Sequence, residues 1–206
     1  MATNEKKICK QLDLPEYKQS LDEAVNYLNN LSYSAVKTKY NAKGNWDAIS
    51  IRGYSDDISN ILKPGVLESD VEQQPLRWTS LYEQAELLPI KEILAHIPAE
   101  FERVRVMRLK AGTRISKHTD KVDKAIKNGD IIRLHVPLKT NEKVTMTLWE
   151  NKDAQSYNLE TGKYYYTDVS KPHAVENLAD FDRLHLVIDC FNNPKLENLL
   201  KQDVIS

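Results

Sequence analysis

The sequence predicts a mainly β protein, an antiparallel sandwich or barrel with helices packed outside it. Five short segments after Glu102 read as strands, 103–110, 131–138, 144–150, 164–169 and 183–191, and several alternate apolar and polar residues. Turn signals fall between them: Ala111-Gly112-Thr113, Lys127-Asn128-Gly129-Asp130, Thr140-Asn141-Glu142 and Glu160-Thr161-Gly162-Lys163. Helical periodicity is confined to the first hundred residues and the last dozen. Short alternating strands joined by turns indicate antiparallel pairing and not βαβ units.

The elements follow in order. Over 12–31, the run Asp13-Leu14-Pro15-Glu16 resembles a helix start, and Leu21, Ala24, Val25, Tyr27 and Leu28 recur at helical spacing, so one amphipathic helix is expected. Residues 34–39 and 46–53 alternate as a half-buried strand does. A loop rich in Ser, Asp and Pro runs from about 53 to 76. Pro89 then pre-sets the first turn of a second helix with Ile93, Leu94 and Ile97 on its buried stripe. His96 in that helix reads as structural, and Tyr164-Tyr165-Tyr166 as a strand packed on both faces. Trp46, Trp78 and Trp149 read as core or rim packing, and Lys121–Asp130 as a solvated segment whose place after His118 and Asp120 also suits a lid. Residues 194–202 close the chain as a short helix.

With 206 residues and no repeat, low-complexity tract or linker, one domain is expected over 1–206: helical support to about 100, a β core over about 101–191, and the C-terminal helix. Lys+Arg 29 against Asp+Glu 30 leaves a net charge of −1, too little field to hold a nucleic acid backbone or an anionic membrane. No apolar run approaches the roughly 18 residues of a span, and the N-terminus lacks a signal-peptide core. Cys9 and Cys190, near opposite ends, have no need to pair, which suits a reducing, cytoplasmic setting. The expected partner is a small-molecule substrate; a homodimer is the one association left open.

His118-Thr119-Asp120 follows the Gly112 turn. In extended backbone, residues i and i+2 project to one side, so an imidazole and a carboxylate can meet one divalent ion. Alone, the pair is as readily a surface histidine beside an acid. His173, in Ser170-Lys171-Pro172-His173, lies 55 residues on, and two imidazoles with one carboxylate form the facial triad of non-haem Fe(II) oxygenases. Arg183 stands ten residues further, at the head of the strand Arg183-Leu184-His185-Leu186-Val187-Ile188-Asp189. An arginine pointing into a barrel is costly unless an anion meets it, and a dicarboxylic co-substrate would be that anion.

The set His118-x-Asp120, His173 and Arg183 resembles the iron- and 2-oxoglutarate-dependent dioxygenases. Within them, Arg133-Leu134-His135-Val136-Pro137-Leu138, His173-Ala174-Val175-Glu176-Asn177 and the strand from Arg183 are similar to the aspartyl/asparaginyl β-hydroxylase-like family, in the style of its small bacterial free-amino-acid members such as proline 3-hydroxylase. The likeness covers about 44–191. It implies a double-stranded β-helix, a jelly-roll, cupin-like barrel with N-terminal helices outside. It implies Fe(II), 2-oxoglutarate and O2, with His118, Asp120 and His173 as catalytic metal ligands and Arg183 on the distal co-substrate carboxylate. His135 would lie by the co-substrate and Arg133 would anchor the substrate carboxylate. Two departures stand out: animal aspartyl β-hydroxylases lack the acidic ligand that Asp120 supplies, and Met107 takes the place of their hydroxyl residue eleven positions before the first histidine.

The expected activity is hydroxylation of a small carboxylate-bearing molecule, foremost a free amino acid or derivative. The alternatives are the same chemistry on a peptidyl Asp/Asn or an acyl chain, or a cupin-like metal- or ligand-binding protein without redox turnover. Arg183 argues against the last, because simple metal binding has no use for a buried guanidinium at that spacing.

Overall fold

The computed structural model describes residues 8–41, 43–65 and 75–202. In chain order the strands and helices begin with β1 (Cys9–Gln11), α1 (Asp22–Asn29), β2 (Ser34–Ala35), β3 (Trp46–Gly53), β4 (Arg77–Trp78) and α2 (Leu88–Ala95). Next come β5 (Phe101–Leu109), β6 (Thr113–His118), α3 (Lys124–Asn128), β7 (Ile131–Lys139), β8 (Val144–Glu150) and β9 (Asp153–Tyr157). The last are β10 (Tyr165–Thr167), β11 (His173–Asn177), β12 (Arg183–Phe191) and α4 (Pro194–Lys201).

These strands form two antiparallel sheets. The larger has the order β1-β10-β7-β12-β5-β3-β2, with β4 also on β3; the smaller is β6-β11-β8-β9. Leu109 and Ile131 of the larger sheet pack against Ile115, Met146, Leu148 and Val175 of the smaller in one apolar cluster. This is the jelly-roll arrangement. Among the described residues no strand ladder joins the sheets, so the expected barrel is two faced sheets and not a closed cylinder.

The larger sheet has two chemically different faces, set by the two-residue period of a strand. Val104, Val106, Leu134, Val136, Leu184, Leu186 and Ile188 point outward into a core shared with Leu28 of α1, Ile90 and Ile93 of α2 and Leu196 of α4. Each fully buried Leu or Ile there contributes about 1.5–3 kcal/mol. The alternate positions, Arg103, Arg105, Arg133, His135, Arg183, His185 and Asp189, face the smaller sheet and are buried or nearly so.

Local chemistry explains where the elements start and stop. Pro89 opens α2, and Asn193 caps α4 by accepting from Lys195 N and Leu196 N. The helix expected from residue 12 begins only at Asp22. Leu12 N donates to Tyr164 O at 2.8 Å, which continues the β1–β10 pairing and holds the start of that segment extended. Lys121–Asp130 is not simply solvated: Asp123 and Ile126 are buried, Asp123 accepts from Ala125 N to cap α3, and Gly129 closes it at φ +82°. Residues 66–74 of the expected 53–76 loop lie outside the described residues. Cys9 and Cys190 are buried and free, and no helix among the described residues is long and apolar enough to cross a membrane.

Two buried polar groups fix the sheets. Asn177, fully buried at the end of β11, donates to Leu109 O (3.0 Å) and Phe181 O (2.9 Å) and accepts from Ala179 N (3.1 Å), tying the smaller sheet to β5. Asp189, also fully buried, takes Arg133 Nε at 2.6 Å and Arg133 Nη2 at 3.1 Å, Arg103 Nη2 at 2.8 Å and Arg105 Nη2 at 3.0 Å. Burial alone would raise its pKa; Arg133, Arg103 and Arg105 overcome that and hold it far below the usual carboxylate range.

Two stability predictions follow from these groups. Asn177→Ala is expected to cost about 2–3 kcal/mol, because it strands buried carbonyls, read as a lower urea midpoint at unchanged m-value. Asp189→Asn is expected to cost about 3–5 kcal/mol at pH 7 by leaving three buried guanidiniums without their shared anion. Since the native pKa is depressed, the wild-type advantage is complete above the unfolded carboxylate pKa of about 3.9 and narrows as pH falls below it. Urea titrations of both proteins at pH 7 and pH 3.5 check the sign.

Candidate metal centre

β6 and β11 pair so that His118 stands opposite His173, their ring centroids 4.2 Å apart. Asp120 lies two residues beyond the end of β6, and its backbone N–H donates to Val169 O at 2.9 Å. Its Oδ1 is 3.7 Å from His118 Nε2 and 4.0 Å from His173 Nε2. A single ion with bonds of about 2.0–2.2 Å spans such separations. These three are the group of potential metal donors found among the described residues.

The donor chemistry fits a divalent metal. His118 Nδ1 lies 2.8 Å from Ser116 O, and His173 Nδ1 lies 3.0 Å from Lys171 O. A carbonyl only accepts, so each Nδ1 carries the proton and each Nε2 keeps its lone pair toward Asp120. Burial lowers the pKa of His173 against the opposing pull of Asp120, which keeps the ring neutral and able to ligate. Asp120 divides its oxygens: Oδ2 accepts from Arg133 Nη1, and Oδ1 faces the histidines. Burial would raise its pKa, but Arg133 and the two histidines hold it down, so it stays ionised. Tyr40 stacks on His118 with centroids 5.0 Å apart and Trp46 leans on the same ring at 5.9 Å.

The remaining sequence-predicted residues divide into two groups. Arg183 is 3% exposed, and its Nη2 donates to His185 Nδ1 at 2.6 Å. Burial draws its pKa down to about 9, with no carboxylate among the described residues to oppose the shift. Around it, Arg183 Nε, His185 Nε2 and both nitrogens of His135 have no hydrogen-bond partner. Burial foremost, then Arg183, lowers the pKa of His135 and His185 well below the ordinary histidine value, so both rings are neutral. So many unmet donors around one uncompensated cation suit an anion with several oxygens, and a dicarboxylic 2-oxo acid has that composition.

Arg133 is placed otherwise than expected for a substrate anchor. Each of its three nitrogens already meets a carboxylate, Nε and Nη2 on Asp189 and Nη1 on Asp120. Beside it a cavity of about 130 Å³ is lined by Trp46, Arg103, Arg105, Met107, Asp120 and Arg133. Arg103 and Arg105 were missed as site residues, although two arginines alternating with Val104 and Val106 place them on the inner face. Tyr40 has no comparable signal, since it sits in a short turn. His96 is structural as expected, 3.0 Å from Tyr164 Oη on the helix side. Trp78 stacks on Tyr82 and Lys117 lies over Trp149, both away from the donors, whereas Trp46 joins the cavity wall.

Comparison with known proteins agrees with this architecture. An oxidoreductase of the 2OG-Fe(II) oxygenase family from Burkholderia pseudomallei superposes with a TM-score of 0.50 at 14% identity, over 83% of this chain and 77% of that one. The non-haem α-ketoglutarate-dependent epimerase SnoN of nogalamycin biosynthesis superposes with a TM-score of 0.53 at 13% identity, over 91% and 79% of the two chains. At such identities the likeness is one of fold. The sequence model described as aspartyl/asparaginyl beta-hydroxylase matches residues 15–193, the helical support and both sheets together. With its His-Asp-His centre in place, the chain belongs to the aspartyl/asparaginyl β-hydroxylase family and is an oxygenase with a candidate metal centre.

Proposed function

We propose that this enzyme hydroxylates a small carboxylate-bearing molecule, a free amino acid or a close derivative. The observation that carries the reading is the pairing of the His118-Asp120-His173 centre with a cavity next to it flanked by the cations Arg103 and Arg105. Guanidiniums on its wall favour a carboxylate-bearing substrate over an acyl chain.

His118 and His173 would hold the iron through Nε2, and Asp120 through Oδ1 alone, because Oδ2 is taken by Arg133. Three coordination positions stay open in such a triad. When bound, Fe(II) with 2-oxoglutarate and O2 supplies the oxidising power to hydroxylate a C–H bond, the co-substrate leaving as succinate and CO2. The protein's own part is binding, orientation and exclusion of water. Arg183 would grip the distal co-substrate carboxylate with its guanidinium fork, His185 would brace that fork, and His135 would offer polar atoms nearby. Ala48, Ile61, Met107 and Val187 form an apolar patch on the inner face that keeps one end of the cavity dry.

Succinate formed from 2-oxoglutarate, measured across a panel of free amino acids, tests the reading. At least one amino acid is expected to stimulate succinate formation and to gain one oxygen atom by mass. His173→Ala should abolish both signals with Tm retained, and Asp120→Ala should keep a trace of iron. Arg183→Met should raise the KM for 2-oxoglutarate by at least about tenfold through loss of a charge-assisted pair. Full activity in His173→Ala, or an unchanged 2-oxoglutarate KM in Arg183→Met, would sink the assignment. Metal binding with no succinate under any condition would favour a non-redox binding protein.

A further inference from the structure

The cavity beside Asp120 contains two cations that neither the metal centre nor the Arg183 cluster uses. Arg103 and Arg105 stand two residues apart on β5 and so project from the same face. They are 6% and 8% exposed. Each gives one terminal nitrogen to Asp189 Oδ2, at 2.8 Å and 3.0 Å, and the Nε of each has no hydrogen-bond partner. Asp189 is already held by Arg133 through both of its oxygens, so one carboxylate serves three guanidiniums. The other acids within reach of Arg103 are committed elsewhere. Asp123 is 3.7 Å away and bound by Lys63, and Glu102 is 3.9 Å from Nε and bound by Lys63 and Tyr54.

Two buried guanidiniums that share a single carboxylate with Arg133, both on the wall of a cavity that also reaches Asp120, form a site for an anion. A carboxylate suits it: two oxygens on one carbon can each accept from one of two donors that share a strand face. We infer that Arg103 and Arg105 together bind the substrate's carboxylate, and that Arg133, held between Asp189 and Asp120, is a positioning residue that acts through the metal ligand and does not touch substrate. This assignment rests on the hydroxylase reading and names the chemical group by which that site selects its substrate.

The test separates the two. The Fe(II)- and 2-oxoglutarate-loaded enzyme, kept under nitrogen so that no turnover occurs, is titrated with free L-amino acids, each beside its own primary carboxamide. Binding is followed by tryptophan fluorescence, with Trp46 on the cavity wall as reporter and Trp46→Phe as its control, and by the rise in Tm. Amino acids that bind are expected to do so about a hundredfold more tightly than their amides, the amide lacking the charge that a buried guanidinium pair requires. Arg103→Met and Arg105→Met, made singly so that Asp189 keeps two cationic partners, should each erase most of that preference while the Kd for 2-oxoglutarate stays within about twofold. Arg105→Lys should recover part of it, since charge returns without the planar fork. Acids and amides binding alike to the wild type would overturn the inference, as would a panel in which nothing binds. So would an acid preference that survives in both folded Met variants. The acid–amide comparison needs no variant and therefore stands even if a substitution impairs folding. Absence of succinate formation in air would count instead against the hydroxylase reading, and the nitrogen titration does not depend on it.

Discussion

Asp189 is a carboxylate with no contact with solvent, and the geometry of the inner face is organised around it. Its partners come from two neighbouring strands, Arg103 and Arg105 from β5 and Arg133 from β7, while Asp189 itself sits on β12 between them. A one-residue slip of either neighbour would send its arginines to the apolar helix side and leave Asp189 as an unpaired buried charge. The ion cluster therefore specifies register as well as contributing stability. Through Arg133 it also reaches Asp120, which lies in the connection after β6, outside the larger sheet. The position of a metal donor is in this way tied to strand pairing in a sheet that supplies none of the three ligands.

The same sheet carries opposite chemistries on its two faces, and the balance between them explains how such a cationic interior is tolerated. Leu134, Leu184, Leu186 and Ile188 are fully buried under the helices, and each contributes about 1.5–3 kcal/mol of transfer free energy. Their alternate neighbours are arginines and histidines whose desolvation opposes folding, as the lowered pKa values of Arg105 and Arg183, each about 9, indicate. A stability argument alone would replace these cations by apolar residues. Their presence, with Nε of Arg103, Arg105 and Arg183 unpartnered, fits the proposed role of these cations in holding anionic ligands.

Much of this was legible in the sequence. β7, β8 and β12 alternate so regularly that their limits fall within one residue of expectation, and the same alternation places Arg133, His135, Arg183 and His185 on one face. The triad was legible through the family resemblance, since His118 and Asp120 two residues apart are by themselves as readily a surface pair, and the β6–β11 register that sets His173 opposite His118 is visible only in the structure. What escaped was governed by tertiary pairing. β6 buries only Ile115 and His118, and β9 buries nothing, so neither has the apolar signal of a strand. The start of α1 was lost to the backbone bond between Leu12 and Tyr164, a contact between segments far apart in the chain. Arg133 was legible as an inward arginine but not as one occupied by Asp189, since pairing across a sheet depends on which strands become neighbours.

Along β12 the inner face runs from Arg183 to Asp189, six residues or roughly 20 Å at strand rise. The two ends differ in what they lack. Among the described residues no carboxylate lies against Arg183, so the first anion to arrive meets an uncompensated fork; around Arg105 one carboxylate is already present and shared among three. His135 lies between and is influenced by Arg183, Arg133 and His173 together. A ligand with two anionic ends can satisfy Arg183 and still reach the metal donors, whereas a ligand at the Arg105 end only completes a partly neutralised cluster. Electrostatics alone thus gives the two ends different appetites, with the stronger unmet charge at the end assigned to the co-substrate and the weaker at the end assigned to the substrate. On this fold the asymmetry arises from strand pairing: Arg103 and Arg105 on β5 lie across from the Asp189 end of β12, whereas Arg183 stands at the opposite end of that strand.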